Sequence, residues 1–396
     1  MKKRVHAISI IFILVLILFL AAKQLISDFY YRKAHYDRQE LDKAIGYLEK
    51  CVAIDNGESL FHFFLGRAYL REGLASAATR REKNKCVRKS IDEFHGAINL
   101  NPVNSDYHFH LGIGFGSLAY PPPLHWELIQ NSFRRTAILN PTDIRHLYSI
   151  GIYYLNEYGR LKNVKQNTES IGPLNYKKYA ALSRDNYELY FKKLLEVNEE
   201  YLGKILDHCF LVTQTYPDLR GVIRNVPNDH AFLARFLIRK GMWEEAKKEF
   251  ELAIEIEPNN PIHYSNYAHT LFRRGDFRHA VHWWQEQKVL DPRNADPYLS
   301  SVDAFVKLKR FDEALRELRD LIALYPENIK YQIKLIRTLL AAGRLDEAIA
   351  EYHDAMEKDQ NLSKEKYDSI RYYQEKGNYP KATRILNETL SSALRK

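Results

Sequence analysis

The sequence predicts an all-α fold: a superhelical solenoid of antiparallel helix pairs, preceded by one N-terminal transmembrane helix. Three observations carry that expectation. An unbroken apolar run, AISIIFILVLILFLAA, covers Ala7–Ala22. Amphipathic stretches with apolar residues three and four apart fill most of the remaining chain. The marks of one such stretch, GMWEEAKKEFELAIEIEPNN at Gly241–Asn260, return at a fixed interval through the C-terminal part.

The apolar run comes first. Sixteen helical residues reach roughly 24 Å, short for a bilayer core, and Val5 with Leu25 and Ile26 extends them to roughly 33 Å when Lys23 snorkels. A cleaved signal peptide is the rival, but Leu20-Ala21-Ala22 lacks a small residue three places before the cut. Residues 7–26 are therefore read as an uncleaved anchor behind a cytoplasmic segment, 1–6. Lys2, Lys3 and Arg4 precede the run and only Lys23 comes closely after it, which keeps the N-terminus in the cytoplasm and sends the body across.

Composition narrows the rest. Of 396 residues, 45% are hydrophobic and 28% charged, which suits a folded chain long enough for more than one core. The formal charge is +9, yet no run of five basic residues occurs, so no nucleic-acid partner is expected. Cys51, Cys86 and Cys209 are far apart and odd in number, which points to free thiols and away from a disulfide framework or zinc site.

The repeat is explicit. Positions 241, 275, 309, 343 and 377 hold Gly, Gly, Lys, Gly and Gly, 34 residues apart. Ala246, Ala280, Ala314, Ala348 and Ala382 keep the same interval, as do Phe250, Trp284, Leu318, Tyr352 and Leu386. Pro258, Pro292 and Pro326 close three copies, with Gln360 in the next place. The unit is a helical hairpin. Glycine supplies a C-cap with positive φ, alanine sits where the helices cross closest, and proline starts the next unit.

This pattern resembles the tetratricopeptide repeat (TPR) family. First-helix positions are matched by Tyr264, Tyr267, Ala268 and Leu271, by His230, Leu233, Ala234 and Leu237, and by Tyr298, Ser301, Val302 and Phe305. Five regular units span 227–396. Residues 27–156 carry the signature with insertions: Leu65, Gly66 and Tyr69 with Phe94 and Pro102, then Leu111, Gly112 and Phe115 with Phe133 and Pro141. About twelve extra residues fall in TRREKNKCVRK, and YPPPLHW occupies an enlarged turn. Ile150, Gly151 and Tyr154 begin another unit; Ala44, Leu48 and Cys51 mark an early second helix. Residues 157–226 read as an irregular loop plus a degenerate helical pair, with a further loop at Asp218–Val226.

Sites of chemistry are not apparent. In DYHFHLGIGFG, His108 and His110 point to different faces of one helix, and no strand precedes the glycines as a phosphate loop requires. His279 and His282 lack the acid of an H-E-x-x-H pattern, and Trp284 holds a core position. No catalytic residue, metal or cofactor is expected, and the chain is read as non-enzymatic.

The resemblance implies instead that first helices line a concave groove for other proteins, while the second helices, Trp243 and its glutamates included, are used up by packing. The positions that face such a groove hold Arg235, Arg239, His269, Phe272, Arg273, Lys307, Lys330, Arg337, Tyr367 and Arg371. They suit an acidic, partly apolar segment. The clamp that some family members use on chaperone tails is incomplete: Asn266 matches, but Arg235, Asp296 and Ser300 do not. The expectation is a membrane-tethered scaffold, by analogy in a bacterial inner membrane with its repeats in the periplasm, serving envelope or polysaccharide assembly. An anionic-glycan binder and the regulatory part of a membrane enzyme are the alternatives.

Overall fold

The computed structural model describes residues 2–36, 40–75, 79–118, 123–162, 173–358 and 362–393. All regular structure among them is helical. The chain divides into two units, Met1–Thr213 and Gln214–Lys396.

In the first unit, α1 (Lys2–Tyr36) pairs with α2 (Leu41–Ile54), α3 (Ser59–Ala75) with α4 (Arg80–Leu100), α5 (Ser105–Ser117) with α6 (Pro123–Leu139), and α7 (Ile144–Lys162) with α8 (Pro173–Val197). A 3-10 turn, Glu199–Tyr201, leads into α9 (Leu202–Thr213). Helix α1 is continuous from its apolar half into the fold. Phe12–Leu20 are exposed, whereas from Lys23 onward one face is held: Lys23 pairs with Asp55 at 2.7 Å, Cys51 donates to the Ser27 carbonyl, and Ala34 joins a core with Ile45, Leu48, Leu65 and Tyr69. Phe12–Ala34 is long and apolar enough to cross a membrane.

Three first-unit hairpins close where a glycine of one helix meets a phenyl ring of the other. A Cβ on Gly66 would stand 2.7 Å from Phe94, one on Gly112 2.6 Å from Phe133, and one on Gly151 2.4 Å from Phe191. The basic insertion TRREKNKCVRK is taken up by a helix. It lengthens α4 to 21 residues, started by a Thr79–Glu82 capping box. The expected loop at 160–179 lies partly outside the described residues; 160–162 and 173–179 are helical ends of α7 and α8. YPPPLHW also lies partly outside them, and its last residues open α6.

The second unit begins with α10 (Tyr216–Val222), which replaces most of the loop expected at 218–226. Pro217 sits in its first turn, where no donor is needed, and Leu219 and Val222 are buried. Five hairpins come next: α11 (Pro227–Arg239) with α12 (Trp243–Ile256), α13 (Pro261–Arg274) with α14 (Phe277–Leu290), α15 (Ala295–Lys307) with α16 (Phe311–Leu324), α17 (Ile329–Ala341) with α18 (Leu345–Lys358), and α19 (Lys364–Glu375) with α20 (Tyr379–Ala393). In their turns, Gly241, Gly275, Gly343 and Gly377 take φ between +68° and +88°. At Gly275 the bonds Gly275 N to Phe272 O and Asp276 N to Leu271 O, both 2.9 Å, satisfy the last carbonyls of α13. Lys309 adopts the same left-handed conformation, φ 59°. Between hairpins, Asn260, Asn294 and Asn328 accept from the backbone N–H two residues on and cap the next first helix. Each stands two places after a proline. Gln360, in the fourth proline's place, lies outside the described residues.

Candidate functional site

The arginines gather where α11 and α13 run side by side. Arg235 is half-buried, its guanidinium 5.8 Å from the Phe232 ring centre, and Arg239 lies 5.5 Å from that of Phe236. Burial, and then the charges of Arg239 and Arg273, hold the Arg235 guanidinium below its ordinary pKa. That coupling places three cations of two helices in one field. His269 adjoins them: burial and Arg273 lower its pKa, while Asp296 of α15 opposes both. The apolar part of the site is Phe272, 5.7 Å from Trp284 and 5.2 Å from Phe277, with His269 set edge-on to Trp284 at 5.3 Å.

Further along, Lys330 and Arg337 line a cleft of about 360 Å³ between α15 and α17, with Val302, Val306 and Ile333 as its apolar wall. Asp303 also lines it but is paired with Lys334 at 2.7 Å. Arg337 donates to Ser391 Oγ at 3.1 Å, so α20 borders this end. Lys307 is exposed at the end of α15 and lines no part of that cleft. Tyr367 is turned onto α18, stacked on Tyr352 at 6.3 Å, and Arg371 pairs with Glu375 at 3.2 Å. The structure thus brings together Arg235, Arg239, Arg273, His269 and Phe272, and separately Lys330 and Arg337. It leaves Lys307, Tyr367 and Arg371 outside both groups.

Sequence reasoning missed a buried network at the start of the unit. His230 Nδ1 and Glu249 Oε2 are 2.5 Å apart and fully buried; Tyr216 donates to Glu249 Oε1 at 2.6 Å and Arg220 Nε lies 3.2 Å from it. The other nitrogen of His230 meets Asn225 Oδ1 at 3.1 Å. These bonds fasten α10 onto α11 and α12. The signal was present: Glu249, Glu317 and Glu351 occupy one repeat position, and Glu249 and Glu317 are buried. The His230–Glu249 pair at its centre is fully buried, while Arg220 and Asn225 at its edge reach solvent.

The histidines of DYHFHLGIGFG serve the fold. His108 Nε2 meets the Pro102 carbonyl at 2.9 Å, while His110 packs on Phe63 and Phe94 and bonds the Asp106 carbonyl at 2.8 Å. Burial pushes the His110 imidazole down to about 4. His279 and His282 are exposed, and among the described residues no group of three potential ligands is placed to hold a metal ion. Cys51 and Cys209 are buried and in no disulfide.

Two segments, 230–260 and 305–371, match the family described as Tetratricopeptide repeat. With the capped hairpins and the 34-residue period, these matches show that the C-terminal part of the chain carries tetratricopeptide repeats. No curated protein matches it in sequence. Among solved structures, it is similar to a crystal structure of MamA (20% identity over 41% of this chain and 95% of that one, TM-score 0.31). It is also similar to yeast Tom70 (13% identity over 93% and 96%, TM-score 0.30). Its tetratricopeptide repeats support a protein-interaction scaffold.

Proposed function

We propose that this TPR chain is a non-enzymatic, membrane-tethered scaffold that holds an acidic, partly apolar segment of a partner protein along α11, α13, α15 and α17. The observation that carries the reading is the grouping of Arg235, Arg239 and Arg273 beside Phe272. Three like charges in one partly desolvated patch repel one another, and an anionic partner relieves that repulsion. Lys330 and Arg337 extend the basic track, and Lys307, Tyr367 and Arg371 are its outlying members.

The tether is the apolar half of α1. Its far end is fastened to the fold through Lys23, paired with Asp55, and Ser27, whose carbonyl accepts from Cys51. The basic residues Lys2, Lys3 and Arg4 favour a cytoplasmic N-terminus and a periplasmic repeat region, where envelope or polysaccharide assembly offers partners. Cross-linked pull-downs with the full chain and with an Arg235→Ala/Arg273→Ala/Arg337→Ala variant test the groove: partners are expected to be lost from the variant, and equal capture refutes the reading. If an anionic polysaccharide competes and an acidic peptide does not, the partner is a glycan. A reporter fused after Lys396 is expected to be active only on the far side of the membrane.

A further inference from the structure

On the opposite side of α13 the structure has a second feature. Tyr267, Thr270, Leu271 and Arg274 recur at three- and four-residue steps, so they face away from His269 and Arg273. They form the floor of a cleft of about 650 Å³ between α12 and α14, walled by Trp243, Phe250 and Trp283. The repeat assigns second-helix Trp243 to packing; in the structure it lines open space.

Two substitutions of the repeat line the cleft. At the position of Glu249, Glu317 and Glu351 this unit has Trp283, and at the position of Leu233, Ser301 and Leu335 it has Tyr267. The phenol stacks on Phe250 at 5.0 Å and meets Trp283 at 5.1 Å.

The lining combines aromatic faces with charged groups: the carboxylates Glu244, Glu251 and Asp276, the cations Lys247 and Arg274, and the imidazoles of His279, which pairs with Asp276 at 2.9 Å, and His282. Glu244, Glu251 and Asp276 all line the cleft, and all three act on the Tyr267 phenol, which burial and then these charges push up. Tyr267 is only 3% exposed, and its hydroxyl has no hydrogen-bond partner among the described residues. Glu244 is exposed and likewise has no ionic partner among them; Glu251 has only a long contact with Lys247, 3.8 Å. One cation already uses these walls: the Arg274 guanidinium stands 4.9 Å from the Trp243 ring centre.

We propose that this cleft is a second binding site, for the guanidinium or ammonium side chain of a basic partner segment. The indole and phenol faces attract a cation through their quadrupoles, and the carboxylates of Glu244 and Glu251 neutralise it. The Tyr267 hydroxyl accepts a hydrogen bond from it. Arg274 is the internal occupant that the incoming side chain displaces from Trp243. The site is independent of the arginine group on the other face, with the opposite charge preference.

The test uses the full chain in detergent micelles and the capped peptides GGRGG, GGKGG and GGEGG, monitored by indole emission and by calorimetric titration. The basic peptides are expected to bind saturably in the millimolar range or tighter, and GGEGG not at all. Glu244→Gln, at an exposed position, should weaken GGRGG about threefold, and Arg274→Met should tighten it about threefold. Arg235→Ala should leave it unchanged, which separates this site from the groove. Preference for GGEGG, weakening by Arg274→Met, or no saturable binding of either basic peptide overturns the proposal.

Discussion

In the hairpins α3–α4, α5–α6 and α7–α8, paired helices meet at a glycine laid against a phenyl ring: Gly66 on Phe94, Gly112 on Phe133, Gly151 on Phe191. In the hairpins after Thr213, the same first-helix position holds Ala234, Ala268, Val302 and Ile336, all fully buried, and the glycines have moved to the turns. The second helices differ accordingly. They run to 21, 17 and 25 residues in α4, α6 and α8, but to 14 in each of α12, α14, α16 and α18. Where a glycine–ring contact fixes the crossing, the turn is free to grow. Where a left-handed glycine fixes the turn, the interval cannot change, but the contact residue can.

Breaking the contact in the first unit should have the largest effect. Phe191→Ala removes a fully buried ring and should cost about 3–5 kcal/mol in denaturant unfolding of that unit. The second unit's transition should stay in place.

Acid should also separate the units. His110 is held near 4 in the fold, against an ordinary 6.5. Between those values the unfolded chain binds a proton that the folded chain does not, so stability falls as pH drops from 6.5 to 4 and is unaffected above. The loss should approach about 3 kcal/mol. In His110→Gln the slope of first-unit stability over that window should flatten.

A subtler test exchanges the two devices. Gly151→Ala forces Phe191 to move and should cost about 1–3 kcal/mol by the same measurement. Ala268→Gly, at the matching position after Thr213, adds helix flexibility and removes a buried methyl, and should cost about 1–2 kcal/mol. Smallest is Lys309→Gly, which places glycine at the one left-handed turn of the five hairpins that lacks it and should raise stability by about 1 kcal/mol.

The second unit was legible in the sequence because its constraint is periodic: glycine, alanine and proline recur in register, and the helix bounds come with them. The asparagine caps lie two places after the prolines and were equally readable. The first unit hid its helices because its constraint is a contact, and Gly151 and Phe191 are forty positions apart with no fixed interval to betray them. The basic insertion before Ser90 shows only as extra length in the sequence, because its residues are polar and the apolar face of α4 lies further on, at Val87, Ile91 and Phe94. Of the site, the arginines could be named from repeat positions. Their grouping could not, since Arg235, Arg239 and Arg273 come from two helices while Lys307, on the same nominal face, stands apart. Tyr367 and Arg371 have neighbours on their own hairpin, which position counting does not weigh. The cleft behind α13 is readable only as an exception, Trp283 where three other units have glutamate.

The central claim, that the grouped arginines hold an acidic segment, is tested most directly by titrating a labelled peptide of alternating glutamate and phenylalanine into the full chain in micelles. Its affinity for the wild type should fall with rising salt, and Arg235→Ala/Arg239→Ala/Arg273→Ala should weaken it at least about tenfold at unchanged helicity. Equal affinity in the two proteins, or binding insensitive to salt, would contradict it.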